Sequence, residues 1–210
     1  QLSESLGPAP NLDRIASILY GLVTPPLRAP VPALLERTAG LLRQLDPANL
    51  DCGQRVNLRF IAAFLRLGGV PMERLKQPGA GDCSHNTTPL DLASDLYLRC
   101  RFGEPPPPQA RELARLQGLQ RPDGGFGWGS GPQQFYLSSH AVFALHACEG
   151  AQQALRRGQS YLLTQLPRMQ RLGFNDGLLE ALLMLREMGV AIPGEAEYLE
   201  HIRARIRADG

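Results

Sequence analysis

Apolar residues recur along most of this chain at intervals of three and four, the spacing that gathers side chains on one face of an α-helix. In "NLDRIASILYGLV", after Pro10, that spacing joins Ile15, Ile18, Leu19 and Leu22, with Asn11 as a cap and Asp13 in the first turn. A second helix is predicted from Pro32 to Leu45 and a third from Val56 to Leu67, stopped by Gly68 and Gly69. After an irregular polar segment from Gln77 to Thr87, Thr88 can cap "PLDLASDLYLRCRF", with Pro89 in the first turn, where a missing N–H costs nothing. "EPPPP" cannot continue an ordinary helix, and Gln109 to Leu119 supplies the next one. Ser138 or Ser139 is placed to cap "HAVFALHAC", and Gln152 to Leu166 follows. Asn175 can cap "DGLLEALLMLREM", and Gly194 to Arg207 forms a more polar last helix. The pattern amounts to about nine helices with short connections.

Apolar helices ending near Gly69, Gly103, Gly150 and Gly189 are spaced by 34 to 47 residues, room for one helical hairpin each. Stacked hairpins would bury the more apolar helices behind an amphipathic outer layer. The expected fold is therefore all-α, an α/α hairpin array, either open or curved into part of a toroid. At 210 residues, the chain is expected to form one domain over residues 1–210.

Between two of the predicted helices lies "GLQRPDGGFGWGS", Gly118 to Ser130. Glycines permit a tight backbone there, and Phe126 and Trp128 are expected to pack against helix ends and lock the turn. Gln120, Asp123, Gly124, Gly125, Phe126, Gly127 and Trp128, followed by "YLSSHAVFAL" from Tyr136, form a pattern that resembles the α/α toroids of terpenoid cyclases and protein prenyltransferase β subunits. The resemblance implies an α/α toroid, partial or completed by a second copy in a homodimer, around a cavity for a hydrophobic, isoprenoid-like ligand. The DxDD acid motif of squalene-type cyclases does not occur in the chain, and the Asp, Cys and His zinc ligands of the prenyltransferases have no residue-by-residue counterpart.

Composition narrows the partners. The apolar fraction of 43% is that of a globular protein, and the 22 Gly and 18 Pro fall between apolar stretches. A formal charge of +2 supplies no broad positive field for a phosphate backbone, so nucleic acid is not an expected partner. No apolar run approaches the roughly 18 residues that mark a membrane span. A soluble protein is expected, cytoplasmic by preference, secreted or periplasmic if a leader has been removed ahead of Gln1. Cys52, Cys83, Cys100 and Cys148 show no CxxC spacing; buried free thiols are the leading expectation, with one or two disulfides as the alternative.

Candidate chemistry gathers near the starts of the predicted apolar helices. Asp91 with Asp95, and Asp176 with Glu180, have the i,i+4 spacing that puts two carboxylates on one helical face. If the hairpins share an axis, these four and His140 would line one end of its cavity, positioning a cation or transferring protons. Separately, "DCSH" places Asp82, Cys83 and His85 in one loop, where with His140 they could hold a divalent metal, zinc or magnesium. Against both stands a simpler role: acids in first turns stabilise helix dipoles, and His140 satisfies a local hydrogen bond.

These residues lead to a small cavity protein that binds or transforms a hydrophobic ligand, with metal or acid/base assistance. Whether it is an enzyme stays open at this level. The alternative is a helical-repeat module that binds a protein or peptide, in which the same polar residues would serve separate caps.

Overall fold

The computed structural model describes residues 15–16, 32–44, 50–67, 70, 88–103 and 110–209. Among them, eight helices are delimited and no strand is formed beyond one isolated bridge between Gln120 and Phe126. They fall into two compact units, residues 1–87 and 88–210. No helix among the described residues is long and apolar enough to cross a membrane.

In the first unit, α1 (Pro32–Gln44) packs against α2 (Cys52–Leu67). Among the described side chains of α1, Leu35, Thr38, Ala39 and Leu42 are buried, the three-and-four spacing read from the sequence. Helix α2 starts at Cys52, earlier than its apolar run suggests, because Asp51 and Gln54 cap it reciprocally. The Gln54 N–H donates to Asp51 Oδ1 at 2.8 Å, and the Asp51 N–H donates to Gln54 Oε1 at 3.0 Å. Ile15 and Ala16 are helical and buried; the rest of the predicted first helix lies outside the described residues.

The second unit contains α3 (Pro89–Phe102), α4 (Ala110–Gly118), α5 (Pro132–Ala147), α6 (Gln152–Arg171), α7 (Asn175–Glu187) and α8 (Glu195–Asp209). Helix α3 packs on α5 and α5 on α7, while α4 flanks α3, α6 flanks α5 and α7, and α8 flanks α7. Side-chain pairs give the directions. Ser94 meets His140, Tyr97 meets Phe143, and Cys100 meets Cys148, so α3 and α5 run parallel. Tyr136 meets Phe174 and His140 meets Glu180, so α7 runs parallel to α5. Helix α6 runs the other way, since Val142 lies against Gly158 and Ser138 against Tyr161.

The more apolar helices of this unit lie in this parallel row. Leu96, Leu98, Phe135, Ala141, Val142, Leu145, Leu178 and Leu185 are wholly buried, which at about 1.5–3 kcal/mol for each large side chain makes the row the main source of cohesion. A β-carbon at Gly158 would come within 2.5 Å of Val142 Cγ2, so the absence of a side chain lets α6 lie directly on α5.

Several sequence expectations change here. Ser138 and Ser139 cap nothing, because α5 begins at Pro132; both sit inside the helix and donate to Gln134 O and Tyr136 O at 2.7 Å. Asn175 is the first helical residue, preceded by Phe174 with no side-chain cap. Helix α6 continues through Pro167 to Arg171 rather than ending at Leu166. Thr88 does cap α3, in a reciprocal box with Asp91. Cys100 and Cys148 are joined in a disulfide with Cα atoms 5.0 Å apart, which corrects the expectation of free thiols for this pair. Cys83 lies outside the described residues.

One charge is deeply enclosed. Arg99 has a side chain only 4% exposed, and its Nη2 lies 2.8 Å from both Asp95 Oδ2 and Glu112 Oε1, tying α3 to α4. Removing the guanidinium leaves two half-shielded carboxylates close together without their shared partner and empties a buried position. Arg99→Ala is expected to lower the unfolding free energy by about 3 kcal/mol, measured by urea denaturation followed by circular dichroism.

Candidate functional site

Two features of the second unit stand apart from its apolar packing: the turn between α4 and α5, and a polar chain that crosses α3, α5 and α7.

The turn is held by its own backbone. The Arg121 N–H donates to Gly125 O at 2.8 Å, the Gly124 N–H to Arg121 O at 3.0 Å, and the Gly127 N–H to Leu119 O at 2.9 Å. Gln120 Nε2 donates to Ala154 O at 2.7 Å and Arg157 Nη2 to Arg121 O at 2.6 Å, which fastens the turn to α6. The Phe126 N–H donates to Ser138 Oγ at 2.9 Å, and the Phe126 ring is fully buried. Phe126 therefore locks the turn as expected, but Trp128 does not. Gly127 and Gly129, with φ of +73° and +96°, flank it in left-handed conformations, and the indole is 89% exposed. The Arg121 guanidinium braces this stretch, donating to Gly129 O at 2.8 Å while pairing with Asp123 at 2.6 Å.

The polar chain centres on His140, in the middle of α5. Ser94 Oγ lies 2.9 Å from His140 Nδ1, and Glu180 Oε1 lies 3.3 Å from His140 Nε2. A carboxylate beside Nε2 favours the tautomer with its proton there, so the Ser94 hydroxyl donates to Nδ1. Nε2 is within ion-pair range of Glu180 but is not aligned for a hydrogen bond, and this buried atom has no hydrogen-bond partner among the described residues. The Tyr136 ring lies tilted against the imidazole with ring centroids 4.5 Å apart, and Phe143 lies at 5.9 Å. The side chains of His140 and Glu180 are 12% and 24% exposed, so the chain of contacts is shielded without being sealed.

Of the residues singled out from the sequence, His140 and Glu180 come together. Asp91 belongs to the α3 cap: its carboxylate accepts from the Thr88 hydroxyl at 2.7 Å and from the Thr88 N–H at 3.1 Å. Asp95 pairs with Arg99. Asp176 is exposed in the first turn of α7. Ser94 was missed. It is 5% exposed inside an apolar helix, and its signal in the sequence is a small hydroxyl on the same face as Tyr97 and Leu98. Asp82, Cys83 and His85 lie outside the described residues. Among the described residues, no three His, Cys, Asp or Glu side chains are grouped to hold a metal ion, and His140 has only Glu180 beside it from that set.

This arrangement suits proton transfer better than acyl transfer. Ser94 and His140 lie within hydrogen-bond reach, as a nucleophile and base must. Yet Ser94 is inside α3, where backbone N–H groups are committed to the helix ladder, so no pair of donors faces an oxyanion beside it. His140, placed between a hydroxyl and a carboxylate, can take up or release a proton at Nε2.

No protein-family model, curated protein or solved structure matches this chain.

Two measurements follow from this geometry. Tyr97 is buried beside Glu187, and both effects push its phenol above the ordinary value near 10, against the opposing contact with Arg101. A phenol raised in the folded state is neutral in both states below that value and ionises first in the unfolded chain above it. Stability is therefore expected to fall by up to about 1.4 kcal/mol per pH unit above pH 10, with a shallower slope in Tyr97→Phe, read from urea midpoints across that range. Trp128, the single tryptophan, is expected to show solvent-exposed emission whose maximum barely moves on unfolding in urea. A large red shift would place the indole inside.

Proposed function

We propose that the second unit binds a hydrophobic small molecule beside His140 and uses the Ser94, His140 and Glu180 chain for acid/base work on it. The observation that carries this reading is His140 Nε2: a buried nitrogen 3.3 Å from a carboxylate oxygen, without a hydrogen bond among the described residues. A buried polar atom left this way is costly, of the order of 1–3 kcal/mol, and such costs are kept where a ligand or reacting group completes the contact. Tyr136 and Phe143 supply aromatic surface beside the imidazole, and Phe174 lies against Tyr136.

The parallel row of α3, α5 and α7, flanked by α4, α6 and α8, supports an α/α hairpin array for this unit. In such an array, residues at one level of successive inner helices share a surface, as Ser94, His140 and Glu180 do. The hydrophobic class of ligand rests on the aromatic neighbours and on the likeness of the turn to those of isoprenoid-handling toroids.

Farnesol and dodecanol are suitable first probes, titrated against the full chain by calorimetry and by the ring signals of Tyr136 and His140. Saturable binding is expected, weakened at least tenfold (about 1.4 kcal/mol) by His140→Ala and by Glu180→Gln, with melting temperatures otherwise close to wild type. Absence of binding, or wild-type affinity in both variants, would sink the assignment.

A second reading is favoured by Trp128. A largely exposed indole, carried on backbone held between two left-handed glycines in a hydrogen-bonded turn, loses little backbone freedom when a partner covers it. In this reading, the unit is an interaction module with Trp128 as its anchor, and the polar chain through His140 is a structural tie between helices.

A further inference from the structure

The Ser94 and His140 contact joins two helices that are also linked covalently further along. Cys100 and Cys148 bond α3 to the C-terminal end of α5. Ser94 precedes Cys100 by six residues and His140 precedes Cys148 by eight, so the bond lies about 9–12 Å along the helix axes from the polar contact. Both cysteines are only partly buried, within reach of a small thiol.

The end of α5 carries a second constraint at the same place. Glu149, directly after Cys148, has φ of +50°, a left-handed conformation unusual for a residue with a side chain. The Gly150 N–H closes this turn onto Leu145 O at 2.7 Å. Glu149 thus takes the position that glycine usually fills at a helix end, directly beside the cysteine that is bonded to α3.

We propose that the Cys100–Cys148 disulfide is a redox-sensitive clamp that sets the separation of Ser94 and His140, a role that rests on the reading of His140 as a functional site. A dithiol reductant opens it in two steps. One thiolate attacks a cysteine sulfur, the S–S bond breaks, and a mixed disulfide forms; the second thiolate of the reductant then displaces the remaining cysteine. The chain gains two electrons and two protons, and the reductant leaves as its own cyclic disulfide. With the bond gone, the turn through Glu149 relaxes, α5 shifts against α3, and the 2.9 Å contact that orients the imidazole loosens. The leucine core of the row keeps the helices folded. The His140 site is accordingly competent in an oxidising compartment and weakened in a reducing one.

The test uses the full chain, oxidised and after dithiothreitol, with Cys100→Ala/Cys148→Ala as the matching variant. Reduction of this pair is verified by a mass gain of about 2 Da, for the two added hydrogens, assigned to the peptides that carry Cys100 and Cys148. The imidazole nitrogens of His140 are followed by NMR, farnesol affinity by calorimetry, and helix content by circular dichroism. In the reduced chain and the double variant alike, the two nitrogen signals are expected to move together as the fixed tautomer is lost. Farnesol affinity is expected to drop at least tenfold (about 1.4 kcal/mol), with helix content retained. Unchanged nitrogen signals after full reduction overturn the clamp. So does wholesale loss of helix, which would make the bond a support of the entire unit. Should farnesol fail to bind even the oxidised chain, the ligand reading falls on its own, and the imidazole signals alone decide the clamp.

Discussion

The parallel contact of α3 with α5 is the constraint on which the second unit depends. Tyr97 meets Phe143 along it, and Leu96 and Leu98 of α3 and Ala141, Val142 and Leu145 of α5 are wholly buried in the unit that it organises. Once that surface is closed, the remaining polar groups on the two helices must find partners within it, because an unpaired polar group in such a setting costs more than most single contacts return. Ser94 and His140 find each other, and Arg99 takes two carboxylates. The disulfide adds a covalent tie at the far end of the same contact.

The turn before α5 solves a different problem. A chain leaving α4 must reverse and enter α5 while lying on α6, and glycine's lack of a β-carbon allows it to do so. At Gly125, a β-carbon would come within 2.9 Å of the Tyr161 ring, so the turn can approach α6 only without one. Ser138 links the pieces: its hydroxyl donates to Gln134 O, accepts from the Phe126 N–H, and contacts Tyr161. The hydroxyl that seemed suited to a helix cap is instead the meeting point of turn, inner helix and outer helix. Burial and the nearby Asp123 carboxylate both hold the Tyr161 phenol above its ordinary value, consistent with that enclosed position.

The acids divide by what else lies within their reach. Asp91 and Asp95 share a helix face by spacing, yet one is drawn to the Thr88 cap and the other to Arg99, each only three or four residues away. Local partners win because little chain entropy is spent in reaching them. Glu180 meets His140 across two helices, a contact that depends on the register of α7 against α5.

Much of the helical content was legible in the sequence, because helix periodicity and caps are local: the buried stripe of α1, the Thr88 cap and the Gly103 stop all follow from neighbours within a turn or two. Within the candidate site, His140 and Glu180 could be named as chemistry-bearing residues, but neither the mid-helix position of His140, in a helix that begins at Pro132, nor their meeting could be read. Their separation in space, the choice of Ser94 as the third member, the pairing of Cys100 with Cys148 and the outward position of Trp128 are decided by the packing of helices tens of residues apart. Sequence spacing determines which face of a helix a side chain occupies. Only the tertiary structure determines which face of which other helix it meets, because that depends on the register and direction in which buried surfaces fit together.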